Sequence, residues 1–291
     1  MVKKISELYA EFRKRFLEIE TPQEAGLLSR RILSHVTGMT QEEILTHGEQ
    51  YIGASQCVAA EQMVNRVLTG EPLAYVLGQW DFYGLILQVD KGVLIPRDDT
   101  CAVTELAIHK ALFLDSSPRI LDLCTGSGCI GLAIASRVKD AKVTLGDISP
   151  EAIKIAKKNI AQLKLTGRVS CVRTDALRVP SAFLGMFDMI VSNPPYVTTQ
   201  EMGELPESVR EYEPHLALHG GDDGLNFYRA IAKNYRQILK PGGFLCFEFG
   251  MGQGDSVCQI LELNGYTILE RSRDYNDRER AVIARIDRKD E

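Results

Sequence analysis

The sequence predicts an α/β fold in which a mostly parallel, seven-stranded sheet carries helices on both faces. From about residue 94 onward, short apolar runs typical of buried strands alternate with helical segments. The first 70 or so residues show helical periodicity instead. We therefore predict a small helical bundle at residues 1–72, a β-hairpin linker at 73–95 and the sheet domain at 96–291.

Four helices are predicted in the bundle. Apolar side chains share one face of the first: Ile5, Leu8, Tyr9, Phe12, Phe16 and Ile19. Thr21-Pro22 is typical of a helix start, and Thr40 with Glu43 forms a capping box for the third helix. The fourth covers residues 55–68 and ends at Thr69-Gly70. Such a bundle either recognises a partner or serves as a lid.

The linker changes to strand character. Residues 82–89 read as a strand, and Asp90-Lys91-Gly92 is predicted as its turn. Seven strands of the sheet domain follow at residues 119–123, 142–147, 169–173, 187–192, 243–249, 267–271 and 280–286. Helices are predicted from residue 128 and at 150–163, 224–239 and 255–264. The last two strands have no helix between them, which predicts an antiparallel hairpin at one edge.

Composition limits the classes of function. The 291 residues are 45% hydrophobic and 25% charged, with a net charge of −5. Residues 1–75 carry eight Lys and Arg against ten Glu, so no basic platform for nucleic acid is expected. The seven cysteines form no C-x-x-C pair, and we predict no metal site. Without a membrane span or targeting segment, we expect a cytoplasmic monomer.

A glycine loop marks the first candidate site. Residues 120–131 read as a strand, a tight turn and a helix start, and Gly126 and Gly128 would let a ligand approach the backbone. Asp147 ends the next strand, where it would bind ribose hydroxyls. Residues 126–131 also match the G-x-G-x-x-G pattern of dinucleotide-binding loops, so a nicotinamide dinucleotide and S-adenosylmethionine are both candidate ligands.

Two features favour S-adenosylmethionine. Asp122 lies inside the glycine signature, where its carboxylate would repel a pyrophosphate but could orient a cationic ligand. Asn193-Pro194-Pro195-Tyr196, at the end of the fourth strand, has no purpose in hydride transfer. Thr174-Asp175-Ala176 follows the third strand and is predicted to meet the adenine edge.

Asn193-Pro194-Pro195-Tyr196 is the most informative segment, because it follows a buried strand. The two prolines stop the strand and remove two N–H donors. The Asn193 oxygen and the Pro194 carbonyl can each accept an N–H of a flat –NH2 group while Tyr196 covers its plane. Such hydrogen bonds return electron density to a delocalised nitrogen. The motif therefore predicts methyl transfer to an sp2-type nitrogen.

These motifs resemble the peptide chain release factor glutamine methyltransferases, within the N-P-P-Y branch of the class I methyltransferases. The resemblance covers nearly the whole chain: EPLAYVLG at 71–78, FYG at 82–84, VLIPR at 93–97, DLCTGSG at 122–128, DISPEA at 147–152, SNPPY at 192–196, YEPHLAL at 212–218, DGLNFYR at 223–229 and LKPGG at 239–243. The linker and the YEPHLAL segment are more specific than the glycine loop.

The resemblance implies a Rossmann-like fold and methylation of the glutamine amide nitrogen in the Gly-Gly-Gln motif of release factors. It implies Asn193, Pro194 and Tyr196 as catalytic residues, and Asn193 to Tyr196, including Pro195, as the substrate site. S-adenosylmethionine would be held by Cys124, Thr125, Gly126, Ser127, Gly128, Asp147, Asp175, Ala176 and Asn193. The helical bundle would help dock the release factor.

The chain departs from the family pattern after VLIPR, where the family continues Pro-Glu-Thr-Glu and this chain has DDTC, and at three further positions. Cys101 replaces a glutamate, which removes a carboxylate expected near the cofactor entrance. Cys124 replaces a glycine, which is tolerable if the backbone at this residue keeps a negative φ. His219 replaces an aspartate, and Asp277 replaces a glycine. Arg97 is predicted to form a structural ion pair.

Three alternatives share parts of this pattern. A ribosomal-protein glutamine methyltransferase would use the same acceptor chemistry. Other N-P-P-Y enzymes methylate amino groups of nucleic acids, which requires a basic groove. A non-catalytic S-adenosylmethionine-binding protein would not need the Asn193 motif.

Overall fold

The computed structural model describes residues 2–114 and 117–286. The chain divides into two compact units, Met1–Gly78 and Gln79–Glu291. Residues 115–116 and 287–291, which belong to the predicted 96–291 domain, lie outside the described residues.

The first unit is helical. Its elements are β1 (Lys3–Lys4), α1 (Ile5–Phe16), α2 (Pro22–Thr37), α3 (Gln41–Thr46), β2 (Tyr51–Ile52), α4 (Ala54–Leu68) and α5 (Leu73–Leu77). The predicted caps are confirmed, because Thr21 accepts the Glu24 N–H and Thr40 forms its capping box with Glu43. Ile19, predicted on the buried face of α1, lies beyond the helix and is 54% exposed. The β1–β2 pair was not predicted, because strands of two residues are too short to show an alternation of apolar and polar residues.

The second unit opens with a β-hairpin whose turn differs from the prediction. β3 (Gln79–Phe82) pairs antiparallel with β4 (Leu85–Gln88). Tyr83 and Gly84, with φ of 50° and 77°, form the turn between them. The predicted strand over residues 82–89 is therefore wrong, because these two residues interrupt it. Asp90 instead accepts the Gly92 N–H at 2.8 Å, in a separate turn after the hairpin.

The sheet domain alternates strands and helices. Its elements are α6 (Cys101–Ala111), β5 (Arg119–Leu123), α7 (Cys129–Arg137), β6 (Lys142–Asp147), α8 (Pro150–Gln162), β7 (Val169–Arg173), β8 (Phe187–Ser192), β9 (Val197–Thr198), α9 (Glu207–Tyr212), β10 (His219–Gly221), α10 (Asn226–Asn234), β11 (Leu239–Glu248), α11 (Gly254–Leu263), β12 (Tyr266–Arg273) and β13 (Glu279–Ile286). The predicted helix over 224–239 ends at Asn234, and β11 already begins at Leu239.

Seven strands form one sheet in the order β12-β13-β11-β8-β5-β6-β7. β11, β8, β5, β6 and β7 run parallel, and β13 is antiparallel to both of its neighbours. The fold class and the antiparallel hairpin at one edge are thus confirmed. Neighbouring residues on β5 point to opposite faces: Ile120 packs with α6, α7 and α8, and Leu121 packs with α10 and α11.

The strand order places a crevice between β5 and β8. The chain runs outward from β5 through β6 to β7, then returns to build β8 and β11 on the other side. Ligands of open parallel sheets bind at the carboxyl ends of the strands where the order reverses. Leu123 of β5 and Phe247 of β11 both pair with Ser192 of β8, so these three strands end level with one another.

Candidate active site

A cavity lies at the carboxyl ends of the parallel strands. Its walls come from the loops after β5, β6, β7 and β8 and from residues 92–100. Nine predicted site residues line it: Cys124, Thr125, Gly126, Ser127, Asp147, Asp175, Ala176, Asn193 and Pro195. Of the predicted residues that the structure describes, Gly128, Pro194 and Tyr196 do not line this cavity. Four separate loops are thus brought together around one space.

Asp122 lies beneath the glycine loop and holds it in place. Its Oδ2 accepts the Thr125 hydroxyl at 2.6 Å and the Gly131 N–H at 2.9 Å. The side chain is fully buried, and burial raises the pKa of Asp122 to about 7. The expected contact between this carboxylate and a cationic ligand is therefore wrong, because the loop covers Asp122.

Cys124 has a φ of 60°, in the left-handed region. The condition under which cysteine would be free of backbone strain here, a negative φ, is therefore not met. The backbone must turn sharply from the end of β5 into the glycine loop, and it does so here despite the Cβ. Asp277, the other position where the family pattern has glycine, also has a φ of 60°. A left-handed backbone is the physical reason why glycine suits both positions.

The two loop glycines have different roles. Gly126 lines the cavity, and a Cβ built on it would have no heavy atom of the described chain within 4 Å, its own neighbours aside. Gly128 is inside the core instead, where a Cβ would lie 2.9 Å from Leu132 Cδ1 and 3.0 Å from Leu145 Cδ1. Gly126 can thus admit a ligand, whereas Gly128 is required for packing beneath the loop.

Two carboxylates face the cavity from the next two strand ends. Asp147 accepts the Gly126 N–H through Oδ2 and the Ser149 N–H through Oδ1, both at 2.9 Å. Burial raises the pKa of Asp147, and these hydrogen bonds oppose the rise. Asp175 accepts the Leu177 N–H at 2.9 Å. Each carboxylate keeps further lone pairs with which it can accept hydroxyl or amine donors from the cavity.

Asn193 and Pro195 face the cavity on its β8 side. The Asn193 amide nitrogen Nδ2 donates to the Thr100 hydroxyl at 3.3 Å. The Tyr196 ring lies away from the cavity, against Gly250, where an added Cβ would be 3.0 Å from Tyr196 Cδ2. Burial, then the charge of Glu248, raises the pKa of the Tyr196 hydroxyl. Only Asn193 and Pro195 of the motif, among the described residues, thus line the cavity.

Two residues beside Asn193 are missing from the predicted site. Thr100 lines the cavity, and Glu248 ends β11 at a buried position. Burial raises the pKa of Glu248 to about 7, against hydrogen bonding by Thr100. An acidic residue that ends an apolar run, as at Asp147, is the signal that would have identified Glu248. Thr100 precedes α6, a helix that the sequence patterns do not indicate.

The positions that depart from the family pattern have separate settings. Cys101 is buried in the core and does not line the cavity. The expectation that this position lies near the cofactor entrance is therefore wrong. His219 Nε2 lies 3.0 Å from the Thr199 hydroxyl in a neighbouring groove. The predicted ion pair of Arg97 is confirmed with Glu213, a buried carboxylate that also accepts the Ile95 N–H at 3.1 Å.

The charges of the cavity suit a ligand without phosphates. Among the described residues, its charged side chains are Arg97, Asp147 and Asp175. The Gly126 N–H already donates to Asp147, so a pyrophosphate would meet carboxylates instead of free donors. Ser127 Oγ is buried on the cavity wall and has no hydrogen-bond partner in the described part of the chain. The dinucleotide alternative does not fit these walls, and a ligand with amine and hydroxyl groups does.

Comparison with known proteins gives the family. A methyltransferase small domain matches residues 103–211, and a PrmC N-terminal domain matches residues 7–78. The release factor glutamine methyltransferase of Clostridium acetobutylicum is 38% identical, over 88% of this chain and 90% of the relative. The chain belongs to the release factor glutamine methyltransferase family.

A second relative extends this match along the chain. The release factor glutamine methyltransferase of Bacteroides thetaiotaomicron is 34% identical, over 96% of this chain and 99% of the relative. Similarity to these two relatives thus confirms the resemblance to the release factor glutamine methyltransferase family that the motifs indicated. A methyltransferase structure from Pyrococcus furiosus shares the fold, with a TM-score of 0.51 and 18% identity over 78% of this chain and 99% of that one.

The described residues contain neither a candidate metal site nor a candidate membrane span. Within residues 2–114 and 117–286, no three His, Cys, Asp or Glu side chains are grouped so that they could hold a metal ion. Across the same residues, no helix combines the length and the apolar character needed to cross a membrane.

Proposed function

We propose that this protein transfers a methyl group from S-adenosylmethionine to the side-chain amide nitrogen, N5, of the glutamine in the Gly-Gly-Gln motif of peptide chain release factors. The observation that carries the proposal is that Asn193 lines the same cavity as Gly126, Asp147 and Asp175. A ligand bound by the last three would lie next to an acceptor held by Asn193. Membership in the family supports the choice of glutamine.

The loops after β5, β6 and β7 would hold S-adenosylmethionine. Asp147 would accept the ribose hydroxyls, and Asp175 with Ala176 would meet the adenine edge. The backbone from Cys124 to Gly128, with the Ser127 hydroxyl free, would follow the remainder of the ligand. When bound, S-adenosylmethionine supplies a methyl group that its sulfonium makes electrophilic.

Asn193 and Pro194 would prepare the acceptor. The Asn193 oxygen would accept one N–H of the glutamine amide, and the carbonyl of the adjacent Pro194, which does not itself line the cavity, would accept the other. Together these bonds would fix the amide plane and raise the electron density on its nitrogen. Placing that nitrogen about 3 Å from the methyl carbon supplies most of the rate acceleration. A strong base is unnecessary, because the amide proton becomes acidic only as methylation proceeds. Pro195 and Tyr196 would keep this turn rigid.

We further propose that the helical unit at residues 1–72 helps dock the release factor, and that the protein acts in the cytoplasm as a monomer without binding nucleic acid. The acidic balance of the chain supports this choice of a protein partner.

Methyl-labelled S-adenosylmethionine tests the proposal. The protein is incubated with a recombinant release factor and, separately, with its Gly-Gly-Gln→Gly-Gly-Ala variant. Label on the first alone is expected. Label on a ribosomal protein or a nucleic acid, with none on the release factor, would replace the proposed substrate with one of the alternatives.

Asn193→Ala tests the site. We expect turnover to fall by about 100-fold or more, while binding of S-adenosylmethionine changes far less. Asn264→Ala is a matched control, because Asn264 donates to the Ile260 carbonyl at the end of α11 and does not line the cavity. Near-normal turnover in Asn193→Ala would show that the assigned role is wrong.

A further inference from the structure

Glu248 and Asn193 leave the sheet side by side. Phe247 of β11 pairs with Ser192 of β8 in parallel register, and Glu248 and Asn193 are the next residues of the two strands. Residues at one level of neighbouring strands share a face of the sheet. A buried carboxylate therefore lies next to the residue that would hold the methyl acceptor.

Within the part of the chain that the structure describes, no salt bridge joins the Glu248 carboxylate to a cation. The side chain is 1% exposed, and Oε2 has no hydrogen-bond partner among the described residues. Arg280, the nearby cation, is already paired with Asp99 at 3.0 Å and with Asp274 at 3.3 Å. The Tyr228 hydroxyl donates to the backbone carbonyl of Glu248, not to its side chain. Hydrogen bonding by the Thr100 and Asn193 side chains lowers the pKa of the Glu248 carboxyl and so opposes the effect of its burial.

This arrangement fixes the orientation of the Asn193 side-chain amide. Its nitrogen Nδ2 donates to Thr100 Oγ1 at 3.3 Å. Since the Thr100 hydroxyl accepts this bond, its own hydrogen remains available to the Glu248 carboxylate. If the amide were turned over, its oxygen would face the Glu248 carboxylate and would take the Thr100 hydrogen. The buried carboxylate would then lose that donor, which costs free energy. The nitrogen thus faces inward, and the oxygen Oδ1 is left for the cavity.

We propose that Glu248, acting through Thr100, is a positioning residue that fixes the Asn193 amide with its oxygen toward the methyl acceptor. The inference rests on the proposed function, which requires that same oxygen to accept an N–H of the glutamine amide. With the amide reversed, two N–H groups would oppose each other and the acceptor nitrogen would lose one hydrogen bond.

Steady-state kinetics with S-adenosylmethionine and a release factor form the first test. In Glu248→Gln the side chain gains N–H donors and no longer distinguishes the two ends of the Asn193 amide. We expect kcat to fall about tenfold or more, with KM for the release factor and Kd for S-adenosylmethionine within about twofold of wild type. Thr100→Val should lose kcat similarly, and Thr100→Ser should retain it.

Tyr228→Phe is the matched control. It removes the hydrogen bond to the Glu248 backbone and leaves the carboxylate intact, so kcat should stay near the wild-type value. An unchanged kcat in both Glu248→Gln and Thr100→Val would overturn the proposal. So would a loss of S-adenosylmethionine binding that parallels the loss of kcat, because Glu248 would then support the fold in general.

A spectroscopic test does not depend on turnover. The side-chain NH2 signals of Asn193, identified by their absence in Asn193→Ala, are followed by NMR from pH 5.5 to 8.5. They should shift near pH 7 in the wild type, as the Glu248 carboxylate ionises, and should not shift in Glu248→Gln. The other ionisable or charged side chains that influence Glu248 or are influenced by it are Asp99, Cys101, Cys129, Tyr196, Tyr228 and Arg280.

The two tests separate the two proposals. A wild-type protein that does not methylate the release factor contradicts the proposed function, whereas the Asn193 signals still report on Glu248. Identical titration of these signals in wild type and Glu248→Gln would overturn the positioning role even if methylation is confirmed.

Discussion

Asp122 accepts a hydrogen bond from the Thr125 hydroxyl at 2.6 Å, and this bond joins the buried end of strand β5 to the loop that lines the cavity. The same oxygen, Oδ2, also accepts the Gly131 N–H, while Oδ1 has no partner in the described chain. A carboxylate in this setting favours its protonated form. The burial of this carboxyl, which its two hydrogen bonds only partly offset, therefore makes the stability of the protein dependent on pH.

Asp122→Asn should reduce this dependence. Burial raises the pKa of Asp122 from 3.8 to about 7, so between these values the folded state holds a proton that the unfolded chain releases. The free energy of unfolding then falls as the pH rises from about 4 to about 7. Asparagine binds no proton, so the slope should become shallower by up to one proton, about 1.4 kcal/mol per pH unit. Urea unfolding at pH 5, 6 and 7 measures both slopes, and equal slopes would contradict the prediction.

Cys124→Gly should be more stable than Cys124→Ala. The φ of 60° at this residue is a left-handed conformation that costs a side chain with a Cβ about 1 kcal/mol and costs glycine almost nothing. Both variants lose the thiol, so their difference isolates the backbone. In a helix interior alanine would be favoured instead, by a similar amount. Thermal unfolding of the two variants gives the sign, and a more stable Cys124→Ala would show that the left-handed backbone carries no strain.

Sequence patterns identify much of the fold because alternating runs and helix caps are local. Thr40 and Glu43 cap α3 wherever the helix packs, and the apolar run of β8 is buried in any parallel sheet. α6 gives no such signal, since eight of its eleven residues are buried and it lacks a polar face. The turn at Tyr83-Gly84 also escapes notice, because a tyrosine at positive φ is rare.

Sequence patterns predict only part of the candidate site. Asn193 and Gly126 follow strands and Asp147 ends one, and the carboxyl ends of parallel strands meet. The role of Glu248 depends on β11 lying beside β8, an order that the linear sequence does not state. Burial likewise separates Asp122 from Asp147, although both are acidic residues at the ends of adjacent strands.

Gly126→Ala and Gly128→Ala should separate ligand binding from stability. At Gly128 the added methyl would lie within 3.0 Å of two leucine carbon atoms at a φ of 88°, so we expect a loss of about 2 kcal/mol or more of unfolding free energy. At Gly126 the methyl would enter open space on the cavity wall, and the φ of 55° would cost only about 1 kcal/mol of stability. Binding of S-adenosylmethionine should therefore weaken more than stability. Calorimetric titration and urea unfolding of both variants test this contrast. The reverse order would show that Gly128, not Gly126, faces the ligand.

Asp147→Asn should weaken binding of S-adenosylmethionine by about 10- to 100-fold, or about 1.4 to 2.7 kcal/mol. The carboxylate accepts Gly126 N–H and Ser149 N–H on separate oxygens, and an amide offers only one oxygen for the two. One backbone donor is then left opposite an NH2 group, which moves the loop and removes an acceptor for the ribose.

Asp188→Asn is the matched control for this prediction. Asp188 accepts the Arg119 N–H at 2.8 Å and pairs with Lys240, but it does not line the cavity. Isothermal titration at one pH compares the three proteins. An Asp147→Asn variant that binds as tightly as wild type would remove Asp147 from the proposed ribose site. Equal weakening in Asp188→Asn would instead attribute the effect to the general loss of a carboxylate that holds a backbone N–H.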